Sequence, residues 1–409
     1  MPRFPSLMVG VSVVASLIAP AAASAGIFGT RPIPISVGPH GEGANGPSGH
    51  PTISGDDRKA RYVAFDSAAS NLVGGDTNGR NDIFVWSRPH GRAGVRLGKP
   101  ARPSGDLVRA SVSTHEVQGN GDSYNPSLDG SMHSRPHCVA FQSTSTNLSP
   151  RDGDPVSDVF VRNFSHGRTM LVSRGIGAPA INPSLDGNCG KVAFEAGGFV
   201  FKARVHRGRP HLLGSGSNPS FARDGSAIVW QQGGGIMLRA GGHTVRVADN
   251  GSDPHVSDRT QGEWGVVFQT GARLTGNDTN PGSDVYMRVV SAGGHVRATD
   301  LISASRRGAH SLGGTNLAGG ISAYGALRGI VTFANAQGGQ DTLYYRNNHT
   351  GNIDDLAHAS GGGISIFDVA TSARANFVAF SSTYSGFRFD HNGSQQDVFF
   401  KGLRDGDAL

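Results

Sequence analysis

Asn125-Pro126-Ser127-Leu128-Asp129-Gly130, then Val139-Ala140-Phe141-Gln142-Ser143, then Asp158-Val159-Phe160-Val161-Arg162, is the stretch that decides the fold. It reads as a short strand opening with proline, an Asp-Gly turn signal, an apolar strand and a second apolar strand. Asp-Gly marks a hairpin because glycine supplies the positive φ that a primed turn demands. The unit is therefore three antiparallel strands, A, B and C.

The unit recurs along the chain. Strand B returns as Val63-Ala64-Phe65, Val139-Ala140-Phe141, Val192-Ala193-Phe194, Ile228-Val229-Trp230, Val266-Val267-Phe268, Val331-Thr332-Phe333 and Val378-Ala379-Phe380. Successive aromatic residues stand 36 to 76 positions apart, scattered about the ~40–50 residues of a four-stranded propeller blade. Strand A reappears as His50-Pro51, Asn182-Pro183-Ser184, Asn218-Pro219-Ser220 and Asp253-Pro254, with turns at Asp186-Gly187 and Asp224-Gly225. Strand C reappears as Asp82-Ile83-Phe84-Val85, Phe199-Val200-Phe201, Ile236-Met237-Leu238, Asp284-Val285-Tyr286-Met287, Leu343-Tyr344-Tyr345 and Asp397-Val398-Phe399-Phe400. A fourth strand of mixed polarity, such as Thr169 to Ser173 or Thr244 to Val247, suits an outer edge. The expectation is an all-β chain, a single propeller of about seven four-stranded blades, with six as the alternative because the last two copies match poorly.

The last copy stops after strand C. The missing strand is expected from the other end of the chain, where Ile33, Ile35 and Val37 recur at period two, as in a half-buried strand. Pro32 and Pro34 lack N–H donors, which an edge position tolerates. Residues 31–39 are thus predicted to pair with strand C of the seventh blade and close the ring. The segment from Arg102 to Asn120 reads as an excess loop, and a smaller surplus surrounds Ser303 to Gly314.

These phrases, together with Asp66-Ser67, Asn71-Leu72-Val73 and Gly75-Asp76-Thr77-Asn78-Gly79, resemble the TolB-like, WD-like β-propeller repeats of exported bacterial proteins. The resemblance covers roughly residues 40–402 and is strongest in blades one, two and five. It implies a propeller fold and usually a binding role; members range from translocation-associated scaffolds to domains attached to peptidases, so fold is implied more firmly than function.

Bulk properties agree with that class. Glycine numbers 61 and charged residues make up 17%, a composition for short strands and tight turns. Residues 1–25 have the form of a secretory signal: Arg3, an apolar stretch from Leu7 to Ala19, and Ala23-Ser24-Ala25 before Gly26. The propeller is then expected over 26–402 with a tail at 403–409, in a secreted or periplasmic, cell-envelope protein. The net charge of +6 is spread rather than clustered, which argues against nucleic acid and leaves a protein or an anionic cell-envelope polymer as partner.

In a meander blade the B–C and D–A connections share one face of the disc, and the A–B and C–D connections the other. On the first face four acidic loops have a common spacing: Asp76 and Asn78 before Asp82, Asp152 and Asp154 before Asp158, Asp278 and Asn280 before Asp284, and Asp390 and Asn392 before Asp397. Paired hard oxygen ligands suit Ca²⁺; equally, Asp and Asn cap such loops through Asx turns. On the other face Arg162, Arg239, Arg288, Arg346 and Lys401 end strand C, and pairing with Asp129, Asp186, Asp224 and Asp258 of the A–B turns is expected. Cys138 and Cys189 precede strand B in consecutive blades. Export permits a disulfide, but neighbouring B strands do not share a sheet, so spacing alone leaves the bridge open.

No Gly-x-Ser-x-Gly, His-Glu-x-x-His or phosphate-binding loop appears in the sequence. No catalytic residue and no required cofactor is therefore assigned. The functional expectation is a non-catalytic binding or scaffold propeller, with an extracellular glycosidase or lyase acting on a polysaccharide or glycoconjugate as the alternative.

Overall fold

The computed structural model describes residues 31–56, 60–88, 106–206, 209–325, 329–360, 365–387 and 392–403. The expected leader, Asp390 and residues 404–409 lie outside them. Among the described residues no helix is long and apolar enough to cross a membrane.

Seven four-stranded antiparallel sheets form, six of them in simple A-B-C-D order. Blade 1 is Ser48–Ile53, Tyr62–Ser67, Asp82–Ser87 and Asp106–Arg109. Blades 2 to 6 span 123–171, 180–215, 217–248, 252–301 and 315–360. Blade 7 takes Ile366–Thr371, Phe377–Ser382 and Asp397–Gly402 from the C-terminal end and Ile33–Pro34 from the N-terminal end. Seven sheets exclude the six-bladed alternative.

The strand B triplets explain how blades stack. Three consecutive apolar residues fit a strand covered on both faces. In blade 2, Val139 and Phe141 pack with Ala64 and Val85 of blade 1, while Ala140 packs with Val192 and Phe194 of blade 3. Seven such apolar clusters stand between the seven pairs of neighbouring blades. Within blades the strand B aromatic stacks on its strand C partner, as in Phe65–Phe84 at 6.0 Å and Phe141–Phe160 at 5.9 Å. The core is thus a ring of seams rather than one central mass.

Ring closure is confirmed and narrowed. Ile33 pairs with Phe400 and Pro34 with Phe399, and the Ile35 amide donates to the Val398 carbonyl at 2.8 Å. Ile35 is buried in the seam between blades 7 and 1. The predicted span 31–39 shortens because Val37 already turns away to bridge Gly43.

Two loop expectations change. Asp106–Arg109, inside the supposed excess loop, is strand D of blade 1, paired with Phe84–Ser87; its mixed polarity is that of an edge strand, which hid it. The following residues hook over blade 2, where the Thr114 hydroxyl accepts from the Thr169 amide at 3.2 Å. The surplus at 303–314 is a similar hook, with a 3-10 turn at Arg306–Gly308.

The Asp-Gly turns are also not two-residue hairpins. In blades 2 and 3 their aspartates clamp the start of strand B instead: Asp129 accepts from the His137 and Cys138 amides, and Asp186 from those of Gly190 and Lys191. Gly187 is required for proximity, not for positive φ. A Cβ there would lie 2.5 Å from the carbonyl oxygens of both Gly130 and Arg223, because the A–B turns bond to one another around the ring, Gly130 to Gly187 and Gly187 to Arg223.

Candidate functional site: the central channel and the acidic loops

Strand A of every blade lines the central channel, a cavity of about 690 Å³. In six blades one strand A residue is left-handed: His50, Asn125, Asn182, Asn218, Asp253 and Asp368, with φ between 42° and 51°. Asn and Asp tolerate this region, and each sits where the A–B register shifts, as at Tyr124/Ser127 in blade 2. The bulge turns the amide toward the preceding blade. Asn125 donates to Asp66, Asn182 to Gln142 and Asn218 to Glu195, at 3.0, 2.8 and 2.6 Å. The acceptor is each time the residue after the strand B aromatic. The side chains continue the chain of bonds, Asn125 to Asn182 at 2.7 Å and Asn182 to Asn218 at 3.2 Å. The repeated Asn-Pro-Ser carried this ring in plain view, yet it reads only as a strand opening until the blades stand side by side.

His50 anchors one side of the ring. Its Nδ1 lies 2.8 Å from Asp66, and its amide donates to Asp368. Bonding to Asp66 pushes the imidazole up to about 9, against a burial effect in the other direction. The pair's contribution to stability is therefore full below about pH 6.5 and is lost as pH rises through about 9. An NMR titration should find His50 protonated to near pH 9, and Asp66→Asn should return it toward 6.5; a parent His50 titrating near 6.5 would mean that the pair does not form.

An arginine spans the A–B end of the channel. Arg223 of blade 4 donates across it to the Ile53 carbonyl of blade 1 at 3.1 Å and the Thr371 carbonyl of blade 7 at 3.0 Å. Burial lowers its pKa, opposed by the charges of Asp258 and Asp56. Asp258 itself is pushed up to about 6 by burial and by neighbouring Asp224. With Arg223 across the A–B end, the polar ring lies toward the D–A end.

In the acidic loops the middle residue forms an Asx turn. Asn78 Oδ1 accepts from the Arg80 amide, Asp154 from Val156, and Asn280 from Gly282. The last aspartate forms a clasp with a serine just past strand D. Ser111 donates to Asp82, Ser173 to Asp158, Ser303 to Asp284 and Ser36 to Asp397, and each serine oxygen also accepts the next strand C amide. The first aspartates differ in their surroundings. Asp76 meets the guanidinium of Arg109 at 2.9 Å, which also lies 3.3 Å from Asp82. Asp152, Asp154 and Asp158 gather with one oxygen of each within 4.8 Å of the others. Asn392 donates to the Ala44 carbonyl.

The expected Arg–Asp pairing on the opposite face is not what forms. Arg162 binds the Ser113 carbonyl and Glu116, Arg288 the Val247 carbonyl, and Arg346 the carbonyls of Ala304 and Ser305. Arg239 bonds Thr244, and burial lowers Lys401 to about 8. In blades 2, 5 and 6 the side chain turns to strand D or the outgoing connection of the preceding blade, Arg239 stays on strand D of its own blade, and the aspartates accept from backbone amides of the turns.

Cys138 and Cys189 are bonded, with a Cα separation of 6.0 Å. The A–B turn of blade 3 reaches back to strand B of blade 2, a contact that does not pass through any sheet. Asp129 and His137 stand beside the sulfurs, but a disulfide offers no thiolate to a metal.

No protein family matches the chain, and neither does any curated protein. Solved structures similar to it include the β-propeller domain of the Trilobed protease from Pyrococcus furiosus, at 12% identity and a TM-score of 0.49, over 89% of this chain and 97% of that one. A putative TolB from Agrobacterium tumefaciens is similar at 11% identity and 0.38, over 73% and 95%. An oligogalacturonate lyase in complex with manganese is similar at 7% and 0.41, over 66% and 86%. The chain's own seven sheets, rather than these likenesses, establish it as a β-propeller.

Proposed function

We propose that this chain is an exported binding module that seats a polar partner, a protein segment or an anionic cell-envelope polymer, in the open mouth of its central channel. The observation that carries this reading is the ring of left-handed Asn, Asp and His residues around a cavity of about 690 Å³. Convergent polar groups on a rigid concave scaffold are the ordinary form of a recognition site. The ring's amides are tied to the blades behind them, so the site is held in place before a partner arrives.

Ser220 lines the cavity on strand A of blade 4. Ser220→Trp should fill the channel beside the ring, two residues from Asn218, and leave the melt close to the parent's. The parent is expected to retain specific material from solubilised cell envelope, with at least tenfold less retained by Ser220→Trp. Equal retention by both proteins, or none by the parent, would overturn the proposal.

A further inference from the structure

Blades 1, 2 and 5 share one loop design but differ at one strand D position. The position opposite Phe84 is Arg109 in blade 1; opposite Phe160 it is Leu171 in blade 2, and opposite Tyr286 it is Leu301 in blade 5. In blade 1 the guanidinium neutralises the acidic pair Asp76 and Asp82. In blades 2 and 5 a leucine leaves the corresponding acids without that cation.

Asp76 keeps one buried oxygen without a partner even beside Arg109, but both oxygens of Asp82 are bonded, to Ser111 and to Asn78 and Arg109. Asp278 and Asp284 are 6% and 0% exposed. Asp278 Oδ2 accepts from the Tyr286 hydroxyl at 2.6 Å, but its Oδ1 is buried with no partner. Asp284 Oδ1 accepts from Ser303 at 2.6 Å and Asn316 at 3.1 Å, and its Oδ2 is likewise buried with no partner. The Asn280 side chain accepts from the Gly282 amide, donates to the Leu312 carbonyl and also approaches Asp284. In blade 2, Asp152 is 9% exposed with Oδ2 orphaned, and it belongs to the three-carboxylate cluster with Asp154 and Asp158. Buried carboxylates without a counter-charge are strongly disfavoured. Either a proton or a cation must answer them.

We propose that blades 2 and 5 each bind a divalent cation of calcium type, Asp152, Asp154 and Asp158 holding one and Asp278 and Asp284 the other, in the role that Arg109 fills in blade 1. The ligands are hard carboxylate oxygens with water completing the shell, the donor set calcium prefers. The ion joins the B–C loop to the start of strand C, beside the serine clasp that holds strand D.

The test uses the mature chain and calcium chloride alone. Equilibrium dialysis should find two calcium ions per chain, and ~10 mM calcium should raise the melt by roughly 5 °C over chelator. Leu301→Arg and Leu171→Arg transplant the guanidinium of blade 1. Each should remove one ion, and the double variant should melt identically in calcium and chelator. Asp278→Asn and Asp152→Asn provide the same readout should an arginine variant fail to fold. Absence of retained calcium in the parent would overturn the proposal, as would unchanged retention in all folded variants.

Discussion

Deletion of residues 31–39 should lower the unfolding free energy by about 5 kcal/mol and bring the protein close to unfolding at room temperature. Ile35 is 1% exposed, and burying such a side chain contributes about 2–3 kcal/mol. The Ile35 amide to Val398 and the Ser36 hydroxyl to Asp397, at 2.8 and 2.6 Å, add about 1–1.5 kcal/mol each. Losing them also strands the partners of the last strand C, since the Val398 amide bonds Ser36. Against a total stability of ~5–15 kcal/mol, this is a large fraction. The ring makes it larger in effect, because opening one seam exposes the blades on either side. Urea denaturation followed by tryptophan fluorescence reads it directly: Trp86 sits in that seam with its ring 5.2 Å from Phe400. A truncated protein with the parent's midpoint would refute closure by this strand. Ser36→Ala, which removes only the clasp, should cost about 1–3 kcal/mol.

Cys138→Ala with Cys189→Ala should cost about 2–4 kcal/mol, most of it through the unfolded chain. The bridge closes 51 residues, for which chain entropy alone allows ~4 kcal/mol. Both positions are buried in the seam between blades 2 and 3, and alanine leaves the surrounding apolar contacts of that seam in place. Guanidinium titration of the parent with and without reductant should reproduce the loss, and the double alanine variant should then be insensitive to reductant. A midpoint that moves in neither experiment would show that the seam, and not the bridge, holds these blades together.

The contrast between these regions and the acidic loops shows where sequence reasoning runs out. Val139-Ala140-Phe141 and its six relatives announce buried strands because each residue's role follows from its immediate neighbours. Ile33, Ile35 and Val37 announce a strand for the same reason, and the absence of a fourth strand after Lys401 supplies its destination. Asp158 and Asp284 are different. Their partners Ser173 and Ser303 lie 15 and 19 residues away, and only strand register brings them together. A serine placed directly after strand D, in Ala110-Ser111, Val172-Ser173, Ile302-Ser303 and Ile35-Ser36, is the signal that was present and went unread.

The sequence by itself determined the all-β class and the closure of the ring and left the blade count between seven and six, because period, turn residues and apolar triplets act over a few consecutive positions. Tertiary structure alone decided the rest. It made Arg162, Arg288 and Arg346 ties to neighbouring blades instead of partners for the A–B turn aspartates, since their direction depends on how blades pack side by side. It joined Cys138 to Cys189 across a seam that no sheet crosses, and it gathered residues dozens of positions apart into the polar ring of the channel. It also divided three similar acidic loops by whether Arg109 or a leucine stands opposite an aromatic residue. The physical reason is common to all of these: blade formation is governed by local pattern, whereas charge pairing is governed by the distances that stacking of the blades creates.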